Sequence, residues 1–299
     1  MLEPMIGIIG GSGVYDVEGL EGAEWVQIDS TWGIASDALL TGVLCGTRCV
    51  FLPRHGRGHA LSPSHLNYRA NIDVLKRIGC TEIIALSAVG SLREDLSPGH
   101  FVFVDQFVDR TFAREKSFFG EGCVAHVSIA DPVCARLGDA LATSAQALGL
   151  GFTRGGIYIA IEGPQFSTRA ESQLYRGWGG TVIGMTNMPE AKLAREAELC
   201  YATVAMVTDF DCWHPSHDAV TVDQVVQVMR HNTTNAMRLL RACLPHLKSR
   251  RPACPHGCDR ALEHALITPP AHRDVTLLRK LDAVAGRVLR AKDGSIPHS

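Results

Sequence analysis

Short apolar runs alternate with longer segments of helical spacing along most of the chain, and polar or glycine-rich clusters fall where the runs end. Residues 6–9, 49–52, 83–86, 101–104, 157–161 and 201–208 are apolar runs of strand length. Residues 68–78 carry Ile72, Leu75 and Ile78 at helical spacing, and Gly79 follows as the expected C′ residue. Residues 132–148 and 168–178 also read as helices, and another is expected from Pro189 to about residue 200, because proline suits a first helical position. Thr221 and Gln224 form a capping-box pattern ahead of the apolar series Val225, Val228, Met229, Leu239 and Leu240. Strands alternating with helices predict an α/β layer architecture. Ligands of open α/β sheets bind at the carboxyl edge of the strands. Five loops, after Ile9, Leu52, Leu86, Ile161 and Thr208, are therefore expected to converge on one pocket.

Length and charge narrow this picture. A chain of 299 residues fits one large α/β domain over residues 1–247 and a C-terminal extension over 248–299. The extension holds nine Lys/Arg against five Asp/Glu from residue 250 onward, and Val275, Leu278, Leu281 and Val288 suit one helix face packed on a neighbouring surface. Net charge is −2, so the overall balance calls for neither nucleic acid nor an anionic membrane. No run of 18 apolar residues exists, and no signal-peptide pattern opens the chain. A cytoplasmic protein with reduced, mostly buried thiols is the expectation for its ten cysteines.

Four clusters carry candidate chemistry. Gly10-Gly11-Ser12-Gly13 offers backbone N–H groups and a hydroxyl to a phosphate, or is a tight structural turn. Arg54-His55-Gly56-Arg57-Gly58-His59 is an anion site or a solvated basic loop. Thr208-Asp209-Phe210-Asp211 ends an apolar strand with two carboxylates, a pattern that raises a pKa and suits a general acid, although loop solvation and metal ligation also fit. Cys254-Pro255-His256-Gly257-Cys258 has C-x₃-C spacing but no clear second pair, with His264 and His272 downstream. Packing is the simplest reading there, with zinc and a Cys254–Cys258 disulfide as the other two. Val220, Val222, Val225 and Val226 read by themselves as helix core.

Taken in order, these segments resemble the methylthioadenosine phosphorylases of the purine nucleoside phosphorylase superfamily. The resemblance rests on residues 6–13, Arg54-His55-Gly56-Arg57, Asn67-Tyr68-Arg69-Ala70-Asn71 and Gly90-Ser91-Leu92-Arg93-Glu94. It continues through residues 105–111, residues 161–172, Met185-Thr186, Pro189-Glu190 and residues 208–213. It covers residues 5–247 and leaves the extension outside.

It implies a twisted mixed β-sheet surrounded by helices, assembled as a homotrimer, with inorganic phosphate as co-substrate, no metal and no organic cofactor. Ser12, Arg54, His55, Ser87, Ala88 and Thr186 correspond to the phosphate site. Phe166 corresponds to the residue beside the purine, Met185 to the ribose contact, and Asp209 and Asp211 to the base-recognition pair. Val222 and Val225 correspond to the wall around a 5′-methylthio group, and His126 to a residue lent by the neighbouring subunit. The implied reaction is phosphorolysis of 5′-methylthioadenosine to adenine and 5-methylthioribose 1-phosphate. A methylthioinosine phosphorylase and a broader purine nucleoside phosphorylase are the alternatives. The Asp209/Asp211 pair argues against the first, since the 6-oxopurine enzymes typically use Asn where Asp209 stands, and Val222, where they commonly place His, argues against the second. A catalytically silent nucleotide-binding protein is a reading from another class.

Overall fold

The computed structural model describes residues 5–11, 17–214, 222–247 and 253–293, with backbone alone for 222–225 and 291–293. β1 (Met5–Gly10), β2 (Glu21–Val26), β3 (Leu39–Leu44) and β4 (Thr47–Pro53) precede α1 (Tyr68–Arg77). β5 (Cys80–Ser91), β6 (Phe101–Phe103) and β7 (Gln106–Arg110) come next, then α2 (Ala135–Ala147), β8 (Phe152–Arg154) and β9 (Ile157–Ile161). α3 (Arg169–Gly177), β10 (Val182–Gly184), α4 (Asn187–Glu196), β11 (Cys200–Asp209) and α5 (Val222–Leu247) follow. The extension carries α6 (Val275–Lys280) and α7 (Gly286–Asp293). Among the described residues no helix is long and apolar enough to cross a membrane.

The strands form one mixed sheet that branches at β5. One edge of β5 runs parallel to β11 along most of its length. The other edge changes partner. It pairs in parallel with β1 as far as Ala85, then in antiparallel with β10 at Gly90 and Ser91. Residues 86–89 have no strand partner on that edge among the described residues. The apolar run at 83–86 is thus only the middle of a strand of twelve residues. The expected loop at Ser87-Ala88-Val89-Gly90 is strand, because the β11 ladder continues past the apolar run.

Alternation along β1 shows how the layers form. Ile6 and Ile8 face the core shared with α2 and α5, whereas Met5 and Ile9 face the core shared with α1. A third, smaller cluster joins Leu92, Ile159, Tyr175, Ile183, Phe210 and Trp213.

Two helices differ from the reading of the sequence. The regular part of α4 starts at Pro189, because Met188 has extended dihedrals (φ −119°, ψ 132°), and it ends at Glu196 rather than near residue 200. Glu198 turns the chain at φ +54°, and Cys200 already begins β11. The single helix face expected in the extension is split between α6 and α7. Leu281 and Val288 are buried, but Val275 is exposed on the short first helix. The described extension packs on this chain's own core through Leu262, Leu281, Val284, Ala285, Val288 and Leu289. Arg287 clasps Glu198 through two hydrogen bonds of 2.7 and 2.6 Å.

Leu281→Ala should therefore lower the unfolding free energy by about 2–5 kcal/mol in a urea titration, the range for a fully buried leucine. Val275→Ala should stay within about 0.5 kcal/mol of the parent, as exposed substitutions do. Equal, small effects would mean that the extension is not part of the core.

Candidate active site

A cavity of about 840 Å³ lies at the end of the sheet where β5 changes partner. Gly11, Arg54, His55, Ser87, Ala88, Phe166, Met185, Thr186, Asp209 and Asp211 all line it. The five segments expected to converge, those after Ile9, Leu52, Leu86, Ile161 and Thr208, each contribute to that wall. Helix α5 closes one side with Val226, Met229, Arg230 and Thr233, which share a face at helical spacing.

One end is basic and rich in hydroxyls. The Arg54 side chain is buried, and its Nε and Nη2 donate to Glu190 at 2.9 and 3.0 Å. Its Nη1 donates to the Leu86 carbonyl at 2.9 Å, on the unpaired edge of β5. Three of the five guanidinium N–H donors are thereby fixed, and two remain for a ligand. Burial opposes the Arg54 charge, but the Glu190 carboxylate holds its pKa above the ordinary arginine range. Glu190 also accepts from the Tyr201 hydroxyl at 2.8 Å. His55 Nδ1 lies 2.8 Å from the Leu61 carbonyl, which fixes Nδ1 as the donor and leaves Nε2 as the acceptor. Burial, then the Arg54 charge, pushes the His55 pKa down to about 4, so the ring is neutral at pH 7. The hydroxyls of Ser87 and Thr186 meet at 3.1 Å, backed by the Tyr158 hydroxyl 3.0 Å from Ser87.

The other end is acidic. Asp209 ends β11, where Thr208 Oγ1 donates to its Oδ2 at 2.6 Å and the Asp211 amide donates to its Oδ1 at 2.8 Å. Asp211 sits at φ +52°, a left-handed turn that returns its own amide to Asp209. Burial raises the pKa of Asp209. Burial also pushes Asp211 up to about 6, with the Ser172 hydroxyl opposing and the Asp209 carboxylate adding to the rise. Asp211 Oδ2 and the Ser172 hydroxyl are both buried but stop short of a regular hydrogen bond with any described group. Gly90 sets the fit from below: a Cβ there would stand 2.9 Å from Asp209 Oδ1 and 3.1 Å from Ile183 Cγ2.

Residues 5–245 match the model of the Phosphorylase superfamily. The chain is 61% identical over 287 residues to the S-methyl-5′-thioadenosine phosphorylase of Rhodospirillum rubrum, an alignment covering 96% of this chain and 98% of the relative. The enzyme of the same name from Cereibacter sphaeroides is 58% identical over 289 residues, covering 97% and 100%. The chain belongs to the S-methyl-5′-thioadenosine phosphorylase family. Among solved structures, a methylthioadenosine phosphorylase from an Antarctic soil metagenomic library superposes with a TM-score of 0.88 at 45% identity, covering 93% of this chain and 98% of that one. The Schistosoma mansoni methylthioadenosine phosphorylase, in complex with adenine, gives 0.78 at 38% identity, covering 83% and 93%.

In this family member a second buried ion pair, absent from the sequence reading, braces the cavity wall. Arg114 Nε donates to Glu162 at 3.1 Å, while its Nη1 donates to the carbonyls of Met185 and Met188 at 2.7 and 2.6 Å. Glu162 Oε2 accepts from the amides of Phe112 and Ala113 at 2.6 and 3.1 Å, and Ser64 donates to Oε1. Burial works against its charge, yet these donors hold Glu162 down to about 2. Glu162 directly follows the apolar run at 157–161 and Glu190 follows Pro189, which was the available signal, and nothing local marked Arg114.

Not every expected residue reaches the cavity. Ser12 lies outside the described residues, as does Thr221 of the expected capping box. Val222 and Val225 stand in the first turn of α5, one helical turn before Val226 and Met229, and their side chains are outside the described set. Arg57 leaves the basic cluster, donating to Asp37 at 2.9 Å and lying 4.3 Å over the Trp25 ring. His126 is exposed on a separate hollow of about 370 Å³, beside Arg260, Glu263 and His264 of the extension.

Glu162→Gln should lower stability by about 3–5 kcal/mol in urea unfolding, because Arg114 is left buried without its counter-charge. Asp211→Asn should do the reverse at neutral pH. The folded pKa of Asp211 lies above the unfolded one, so stability falls as pH rises from about 4 to about 6. A shift of about two units corresponds to about 3 kcal/mol. The variant should accordingly gain stability at pH 7 and show little gain below pH 4 in parallel thermal melts.

Proposed function

We infer that this chain catalyses the phosphorolysis of 5′-methylthioadenosine to adenine and 5-methylthioribose 1-phosphate. The observation that carries the reading is the buried Asp211 carboxyl, whose Oδ2 lacks a regular hydrogen bond among the described residues, in the same cavity as the Arg54 end. An acceptor without a donor is costly to bury. The exocyclic 6-amino group of adenine supplies that donor, whereas a 6-oxo group brings a second acceptor to the same place.

Asp209 serves the departing base. Its raised pKa suits a carboxyl that gives a proton, or a strong hydrogen bond, to purine N7. As the N-glycosidic bond breaks, electrons move onto the purine and positive charge develops on the ribose. Phosphate held by Arg54, His55, Ser12, Ser87, the Ala88 backbone and Thr186 lies opposite the base, offsets that charge and captures C1′. The protein supplies orientation and electrostatics, and the chemistry needs no covalent enzyme intermediate and no organic cofactor. Phe166 flanks the purine and Met185 the ribose. Val222 and Val225, one turn before the cavity-lining Val226 and Met229, suit the apolar methylthio group.

The assembly is a homotrimer in which His126 completes the neighbour's pocket. The exposed position of His126 outside its own chain's cavity, on one hollow with Arg260 and His264, supports this reading. Ten thiols without a disulfide suit the cytoplasm.

Product release should be followed from 5′-methylthioadenosine and 5′-methylthioinosine, each with and without phosphate. Phosphate-dependent adenine release with at least tenfold less hypoxanthine is expected, since an unmet polar contact is worth about 1–3 kcal/mol. Cleavage without phosphate would remove the phosphorylase reading, and preferred hypoxanthine release would remove the role of Asp211. The preference for the amino substrate should shrink below about pH 6, where protonated Asp211 donates to a 6-oxo oxygen. Asp209→Asn should move kcat/KM toward the inosine substrate, and an unchanged ratio would exclude Asp209 from base recognition.

A further inference from the structure

The motif Cys254-Pro255-His256-Gly257-Cys258 has a second pair after all, and it comes from distant parts of the chain. The sulfurs of Cys134, Cys200, Cys254 and Cys258 all lie within 4.8 Å of one another, and all four residues are buried. Cys134 caps the start of α2, Cys200 opens β11, and the other two flank a turn in which Gly257 adopts φ +66° and donates to the Cys254 carbonyl at 3.0 Å. We propose that these four cysteines form a structural tetrathiolate zinc site that fastens the C-terminal extension to the phosphorylase domain.

Two features favour zinc over four packed thiols. The first is geometry. A tetrahedral Zn(II) with Zn–S bonds of about 2.3 Å places its sulfurs about 3.8 Å apart. Cys134 and Cys254 already stand at 3.8 Å, far from the roughly 2.05 Å of a disulfide. The second is charge. Four thiolates around Zn(II) leave a buried excess of two negative charges, which must be compensated. Lys76, Arg136 and Arg195 stand near the cluster, Arg136 also paired with Glu82. Binding displaces the four thiol protons to solvent, with no change of oxidation state. The site is structural. Cys200 and Asp209 are the two ends of β11, about 30 Å apart at strand rise, so the metal touches no reacting atom.

The full-length protein, purified and dialysed against metal-free buffer, should retain about one zinc per chain by elemental mass spectrometry. Cobalt(II) in its place should give the strong thiolate charge-transfer and tetrahedral d–d absorption of an S₄ site. Cys254→Ser and Cys258→Ser should lose the metal and lower Tm while kcat for phosphorolysis is unchanged, and Cys45→Ser should keep the metal. Loss of soluble protein in the serine variants leaves the wild-type measurements to decide. Wild-type protein from zinc-supplemented cultures with no zinc and no cobalt spectrum would overturn the proposal. So would iron in place of zinc, or an intact mass two hydrogens lighter, the mark of a disulfide.

Discussion

The exchange of partners along one edge of β5 is the constraint on which the site depends. A strand that kept β1 beside it to the end would leave no room for a ligand, and one that ended at Ala85 would leave Ser87 to Gly90 without order. Instead β11 holds the whole strand on one side while β1 departs and β10 arrives on the other. The unpaired stretch between them exposes main-chain groups, and Arg54 takes the Leu86 carbonyl there. Gly90, paired to Ile183 on one side and Asp209 on the other, then fixes the acidic end against the same strand.

The two ends of the cavity solve opposite electrostatic problems. At the basic end each cation is matched before any ligand arrives: Arg54 by Glu190, Arg114 by Glu162. The net charge at this end is therefore small, and what it presents is direction, through the remaining N–H donors and the Ser87–Thr186 hydroxyls. At the acidic end neither carboxylate has an ion-pair partner among the described residues, and Asp209 is held by neutral donors. That arrangement destabilises the folded chain and is sustained by the rest of the core.

Much of this was legible in the sequence because it is local. The apolar alternation marks the strands, the glycine and proline clusters mark their ends, and the Asp-Phe-Asp pattern marks a site by chemistry unusual at a strand terminus. The missing parts are nonlocal. Ser87 and Gly90 look like a loop until β11 and β10 are placed beside them. Arg54 and Glu190 are 136 residues apart, so neither predicts that the other is its counter-charge. Cys134 and Cys200 resemble any small buried residue in an apolar run, which is why Cys254 and Cys258 seemed to lack partners. The positions of Phe166, Met185 and His126 carried no physical signal of their own and rested on family resemblance.

The acidic end stands on the small third cluster, in which Phe210 and Trp213 pack with Ile183, Ile159, Leu92 and Tyr175. That cluster is separate from the two large cores, so it can be disrupted without unfolding them. Opening there breaks the contacts of these six side chains and of Val108, Ile157 and Ile161 packed against them, with the Trp213 bond to the Ser91 carbonyl, and leaves the two large cores untouched. The turn from Asp209 to Trp213 thereby rests on a small packing unit attached to a larger frame. A local opening there would unseal the acidic end of the cavity and leave the packing around Arg54 in place.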